Sequence, residues 1–161
     1  KAGETSFAAG MGQIRRFLED IGLDPSMVSL SDGRGNEYTD LFSLHAVCDL
    51  LRTMALQDDF ETYFASLPIL GVDGSETDTV PPDSPVAGQA RAKSGTTAAG
   101  DLMNERLLIM TRALAGYMTT ASGREVIFTI YVNDVPAADL DVMLDVIHQQ
   151  GTIAEIIYAQ F

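Results

Sequence analysis

At 161 residues, 46% of them apolar and 20% charged, the chain has the size and composition of one ordinary globular domain with a buried core. Ten basic residues against twenty-three acidic ones give a net charge of −13, which excludes nucleic acid and anionic membrane as electrostatically attracted partners. One cysteine, Cys48, excludes an intrachain disulfide and a cysteine-rich zinc site, and no apolar run reaches the roughly 18 residues of a membrane span.

Residues 5–21 place Phe7, Met11, Ile14, Phe17, Leu18 and Ile21 at helical spacing, and Gly22 and Pro25 stop the helix. A short apolar segment then runs into a turn rich in Gly, Asp and Asn, "SDGRGNEYTD" at 31–40. Ser43 reads as the N-cap of a second helix, with Leu44, Val47, Leu50, Leu51 and Met54 on one face. A third, short helix starts at Asp58 or Asp59 and runs to about Leu67, where Pro68 intervenes. These helices together span about 5–67.

Residues 71–89 hold three prolines and three glycines and read as a long loop, of the kind that is functional or mobile. From about 90 to 133 β-branched and aromatic residues dominate: "RLLIMTRALAGYMTT" and "REVIFTIYVND" read as strands and "ASGR" between them as a hairpin turn. The end, about 138–160, returns to helix. Leu140, Met143, Leu144 and Ile147 form its stripe, and Thr152 and Glu155 form a capping box for a last turn or two after Gly151. Helices, a long loop, antiparallel strands and a closing helix make the fold class α+β.

Only two lysines occur, and one, Lys93, sits in a run of small residues, "ARAKSGTTAAGD" at 90–101. At the start of a strand, Lys93 offers a compact positive charge and Ser94 and Thr96 offer hydroxyl donors. Gly95 removes a side chain, so that another backbone could approach. These features suit a peptide that ends in a carboxylate and lies along the strand, and the N–H after the glycine could face a developing oxyanion. A Lys-Ser-Gly triplet also arises by chance on many strands, and by itself decides nothing.

The triplet has company. In order, "SDGRGNEYTDLFS", "FASLPILGVDG", the Lys93 run and "ALAGYMTTASGREVIFTIYVND" resemble the C-terminal half of the peptidase S13 family, the class C low-molecular-mass penicillin-binding proteins, from about residue 5 to about residue 135. The resemblance implies part of a β-lactamase/DD-peptidase fold, an antiparallel sheet flanked by helices. It makes residues 1–161 the C-terminal portion of one DD-peptidase domain. It also implies a serine D-Ala-D-Ala carboxypeptidase or endopeptidase activity on peptidoglycan stem peptides, β-lactams as alternative ligands, no cofactor or metal, and an extracytoplasmic location.

The family's site has three elements. The third, Lys-[Thr/Ser]-Gly, is present as Lys93-Ser94-Gly95. By resemblance Lys93 helps hold the substrate's terminal carboxylate and supports proton transfer, Ser94 and Thr96 bind the same carboxylate, and the N–H after Gly95 lines the oxyanion hole. The second element, Ser-x-Asn, is altered: Glu37 stands at the serine position, and Thr39 or Asp40 in the asparagine region. Glu37 and Asp40 could still accept a proton, or Glu37 could simply face solvent on a turn. The first element, Ser-x-x-Lys, occurs nowhere in the chain.

Nucleophilic catalysis needs an activated hydroxyl with a base in reach, so the chain alone is expected not to turn over. The chain opens on Lys1, which fits a processed or excised piece whose nucleophile lies upstream. The strand after "ASGR" should then have an unpaired edge, covered by the N-terminal half, a symmetry mate or a swapped dimer. The rival reading is a non-catalytic module that holds peptide C-termini or cell-wall fragments without cleaving them.

Other residues have ordinary readings. His45 and His148 lie on separate helices without ligand-like spacing. Asp73, Glu76, Asp78 and Asp83 lack calcium-loop spacing and read as a solvated acidic loop. Cys48 reads as a buried, inert thiol.

Overall fold

The computed structural model describes residues 3, 5–35 and 39–161. The chain forms two compact units, Lys1–Leu56 and Gln57–Phe161.

In the first unit, helix α1 (Phe7–Asp20) begins where the Ser6 side chain accepts the Ala9 N–H at 3.2 Å. It ends at Gly22, whose φ of +77° lets the Leu23 N–H reach back to the Leu18 carbonyl at 2.9 Å. Strands β1 (Val28–Ser29) and β2 (Leu41–Phe42) pair antiparallel and close the neck of the intervening turn. Helix α2 (Leu44–Met54) is capped by Ser43, whose hydroxyl accepts the Ala46 N–H at 3.1 Å. Leu18, Leu23 and Ala46 form the core, with Ile14, Met27, Phe42 and Leu50 against it. Phe7 and Phe17, on the expected apolar stripe of α1, are 64% and 46% exposed and belong to no core. Cys48 is half-buried rather than buried, because α2 turns Ala46 and Leu51 inward.

The second unit is built on three antiparallel strands, β3 (Ala90–Asp101), β4 (Arg106–Thr119) and β5 (Glu125–Ala137), in the order β3-β4-β5. The register pairs Lys93 with Ala115, Ser94 with Leu114 and Thr96 with Arg112. One face therefore carries Ala90, Ala92, Ser94 and Thr96 beside Arg112, Leu114, Gly116 and Met118. Helix α4 (Leu140–Gln160) packs there, and Leu70, Val80, Val86, Ala92, Leu114, Met118, Phe128 and Ala154 form the main core.

The other face carries Arg91, Lys93 and Gly95 beside Ala113, Ala115 and Tyr117. Helix α3 (Phe60–Ser66) covers its Tyr117 end, where Phe60, Tyr63 and Phe64 meet the Tyr117 ring edge-on at 5.3, 6.4 and 5.7 Å. Arg91 lies over Phe64 and donates to the Ala65 and Leu67 carbonyls, holding the end of α3.

Between Thr97 and Ala98 the β3–β4 register slips, leaving Met110 without a partner on β3. The slip reverses the alternation on β4, so Ile109 rather than Met110 is fully buried, against Ala137 and Val146. Opposite the bulge, Asp134 takes a positive φ of 58°.

Residues 71–89, expected as a long loop, have no regular structure apart from a 3₁₀ turn at Gly74–Glu76, and within them Val80 and Val86 lie in the core. One expectation for this unit is corrected. The C-terminal helix does not restart after Gly151. It runs unbroken from Leu140 to Gln160, and the Thr152 hydroxyl donates to the His148 carbonyl within it. Gly151 is there for contact rather than for a break, since a Cβ would stand 2.1 Å from the Thr79 carbonyl oxygen. The buried face of α4 is Val146, Gln150, Gly151 and Ala154, whereas Leu140 and Leu144 of the expected stripe are 70% and 46% exposed.

Gly151→Ala must push α4 off the 71–89 segment, because the blocking atom is backbone. The expected loss is about 3 kcal/mol of stability, read by urea unfolding; an unchanged midpoint would contradict this packing.

Candidate functional site

Each residue of β3 whose N–H and C=O face away from β4 presents them at the outer edge. The segment before β3 takes the first of these: the Leu70 N–H donates to the Ala90 carbonyl at 2.9 Å, and the Ala92 N–H donates to the Pro68 carbonyl at 3.0 Å. The next, Ser94, gives its N–H to the Glu76 carboxylate at 2.9 Å. By the same alternation Thr96 follows with an outward N–H and carbonyl. Within this unit the edge is thus closed by backbone up to Ala92 and by a side chain at Ser94, and beyond Gly95 no further backbone pairs with it among the described residues.

Lys93 is exposed on the α3 side of the sheet, with its amine turned onto the Ser94 carbonyl. A Cβ placed on Gly95 would have no protein atom within 4 Å. Among the described residues no close contact demands glycine there. The structure therefore brings Lys93, Ser94, Gly95 and Thr96 together at one open sheet margin.

Glu76, expected in a solvated acidic loop, is fully buried, and this corrects that expectation. Its Oε1 accepts from the Ser75 hydroxyl at 2.7 Å as well as from Ser94, and its Oε2 accepts from the Thr79 hydroxyl at 3.0 Å. Burial pushes the carboxyl pKa up, but hydrogen bonds from the Ser94 hydroxyl and N–H, Ser75 and Thr79 outweigh it and hold it below its ordinary value.

Across the strand pair, Arg112 is also buried, and its Nη1 donates to the Thr96 hydroxyl at 2.7 Å. Burial lowers its pKa, and the Glu76 carboxylate opposes that fall. Gln150 of α4 fixes the strand behind it by donating to the Arg112 and Ile130 carbonyls at 3.0 and 3.2 Å. Sequence reasoning assigns neither Glu76 nor Arg112 to the site. Arg112 does leave a signal, since period-two alternation puts it on the face of Leu114 and Met118; Glu76, in irregular backbone, leaves none.

The second motif lies in the first unit. Glu37 falls outside the described residues. Asp40 uses its Oδ1 to accept the N–H groups of Ser31 and Asp32 at 2.6 and 3.2 Å, a turn-closing role. Thr39 meets Ser31 through their hydroxyls. Asp32 accepts from the Arg34 and Gly35 N–H groups at 2.6 and 2.7 Å. Among the described residues, no group of three or more His, Cys, Asp or Glu side chains is placed to hold a metal ion.

Residues 1–151 match the model of the D-Ala-D-Ala carboxypeptidase 3 (S13) family. No curated protein matches the chain. Among solved structures, the chain is similar to penicillin-binding protein 4 (dacB) from Haemophilus influenzae, with a TM-score of 0.73 and 23% identity over 96% of its residues. It is also similar to the extended-spectrum β-lactamase TLA-1, with a TM-score of 0.60 and 13% identity over 91% of its residues. The fold is that of the penicillin-binding proteins and β-lactamases. The chain spans 32% of the Haemophilus protein and 54% of the β-lactamase.

Because its folded-state pKa is depressed, Glu76 contributes stability that is fully present above its ordinary value of 4.5 and is lost as pH falls through the lower folded value. Glu76→Gln is expected to cost about 3 kcal/mol at neutral pH, by removing the countercharge of buried Arg112, and to flatten the loss of stability below pH 4.5. Urea unfolding at a series of pH values reads both; an acid slope equal to that of the unsubstituted chain would refute the assignment.

Proposed function

The chain belongs to the D-Ala-D-Ala carboxypeptidase S13 family, and from that premise we propose that it is the substrate-strand portion of a serine D,D-peptidase domain acting on peptidoglycan stem peptides. The observation that carries this reading is the β3 edge. Among the described residues of its unit it is covered through Ser94 and unpaired from Gly95 onward, within Lys93-Ser94-Gly95-Thr96. A stem peptide would lie along that edge, with its terminal carboxylate toward Lys93 and the hydroxyls of Ser94 and Thr96. The Thr96 N–H, next to the side-chain-free Gly95, would face the oxygen of the scissile carbonyl as negative charge develops on it.

With no Ser-x-x-Lys in the 161 residues, the acylated serine and its base come from other sequence in this proposal. So does the cover for β5, which pairs with β4 alone among the described residues; the candidates are an N-terminal half, a symmetry mate or a swapped dimer. Residues 31–40 are assigned to the second motif, with Asp40 closing the turn and Glu37 in place of its serine. An extracytoplasmic location, where peptidoglycan is found, goes with this activity. Among the described residues no helix is long and apolar enough to cross a membrane.

The absent nucleophile also favours a second reading, a module that binds peptide C-termini without cleaving them. Fluorescent penicillin separates the two. Covalent label should be absent from the chain alone and appear when a polypeptide carrying the family's Ser-x-x-Lys segment is added; absence in both samples would favour the binding module. Gly95→Ile should leave stability within about 0.5 kcal/mol, because a Cβ there has open space and the residue is exposed, yet abolish D-Ala-D-Ala peptide binding. Retained binding would move the peptide off this edge.

A further inference from the structure

Behind β4 two buried polar atoms are left over. The Gln150 side chain, fully buried on α4, spends both hydrogens of its amide: Nε2 donates to the Arg112 carbonyl at 3.0 Å and to the Ile130 carbonyl at 3.2 Å. That fixes the amide's orientation, because the reversed amide would set Oε1 against two carbonyl oxygens. Oε1 therefore points away from them, buried, and accepts from no group among the described residues. On β4, Arg112 is only 7% exposed. Its Nη1 donates to the Thr96 hydroxyl at 2.7 Å, while its buried Nε–H donates to no group among the described residues.

The two atoms belong to one locality. Gln150 bonds the backbone of Arg112 itself, and the Arg112 side chain leaves β4 on the face that α4 covers. One atom is a donor and the other an acceptor, yet they do not bond each other. A buried polar group without a partner forfeits its hydration and gains nothing in return. Whatever satisfies both must accept from the Nε–H and donate to Oε1. An anion has no hydrogen to give and meets the Oε1 lone pairs, and a cation meets the guanidinium charge. A neutral hydroxyl small enough for a closed interface remains, and water is that molecule.

We propose that the α4–β4 interface holds one structural water, whose oxygen accepts from the Arg112 Nε–H and whose hydrogen is donated to the Gln150 Oε1. The water ties α4 to the guanidinium as well as to the backbone of β4. With Nη1 held by Thr96 and Nε held by the water, the planar guanidinium is fixed at two of its nitrogens. This site is independent of what the outer edge of β3 binds.

The test uses the 15N-labelled 161-residue chain and water-selective NOE and ROE spectra. A long-lived bound water gives cross-peaks of opposite sign in the two, whereas chemical exchange gives the same sign in both. The opposite-sign pair is expected at the Arg112 Nε–H. It should persist in Thr152→Ala, which alters an α4 hydroxyl bonded within the helix, and vanish in Gln150→Leu, which removes the acceptor. In a crystal structure the same oxygen should lie about 2.7–3.2 Å from Nε and from Oε1. In the unsubstituted chain, a cross-peak of exchange sign only, or none, would overturn the inference whether or not Gln150→Leu folds. Persistence of the pair in Gln150→Leu, or a direct hydrogen bond from Nε to Oε1 in the crystal, would overturn it as well.

Discussion

A carboxylate buried in an acidic chain needs donors from every side, and Glu76 collects them from Ser75, Thr79 and Ser94. Two of those donors lie in its own irregular segment and one in the strand beside it. Removing a charge from water is costly, and only a filled hydrogen-bond shell makes the buried state tolerable. Satisfying Glu76 therefore fixes the segment to the strand. The 3₁₀ turn at Gly74–Glu76, the core seats of Val80 and Val86 and the closure of the β3 edge at Ser94 are all served by that one side chain. Arg112 completes the arrangement from the neighbouring strand, where its charge faces a partner rather than bare hydrocarbon.

The sheet divides its labour by face. Toward α4 it is apolar and closely packed, interrupted where Ser94 meets Glu76 and Thr96 meets Arg112. Toward α3 it is aromatic at the Tyr117 end and small at the Lys93 end, where Gly95, Ala113 and Ala115 carry almost no bulk. Helix α3 is only seven residues long, and it ends where Arg91 holds its last carbonyls. The margin around Lys93 and Gly95 is thus kept clear by small residues on two strands, while rigid packing on the opposite face holds it in place.

Much of this was legible locally. Ser43, Gly22, Pro68 and "ASGR" mark ends and turns through their own backbone chemistry, and the structure puts boundaries within a residue or two of them. What was not legible depends on partners distant in sequence. Gly151 looks like a helix stop until the Thr79 carbonyl is found against it. Glu76 looks like one more acidic loop residue until Ser94, eighteen positions on, proves to be its donor. The Lys93 run was readable as a group because a strand keeps neighbours together, but the buried charges behind it, Glu76 at the Ser94 N–H and Arg112 at the Thr96 hydroxyl, were not.

Those buried charges bear on the proposed division between a strand that holds a peptide and a segment that supplies the nucleophile. A hydroxyl that positions an anion must donate, and a hydroxyl that attacks must lose its proton to a base within reach. Near Gly95 the Ser94 N–H is bonded to the Glu76 carboxylate, the Thr96 hydroxyl accepts from Arg112, and Lys93 turns its amine onto the Ser94 carbonyl. In the proposed D,D-peptidase reading, recognition and nucleophilic attack fall on different elements, so that the strand can keep its fold while the chemistry is supplied from a separate segment.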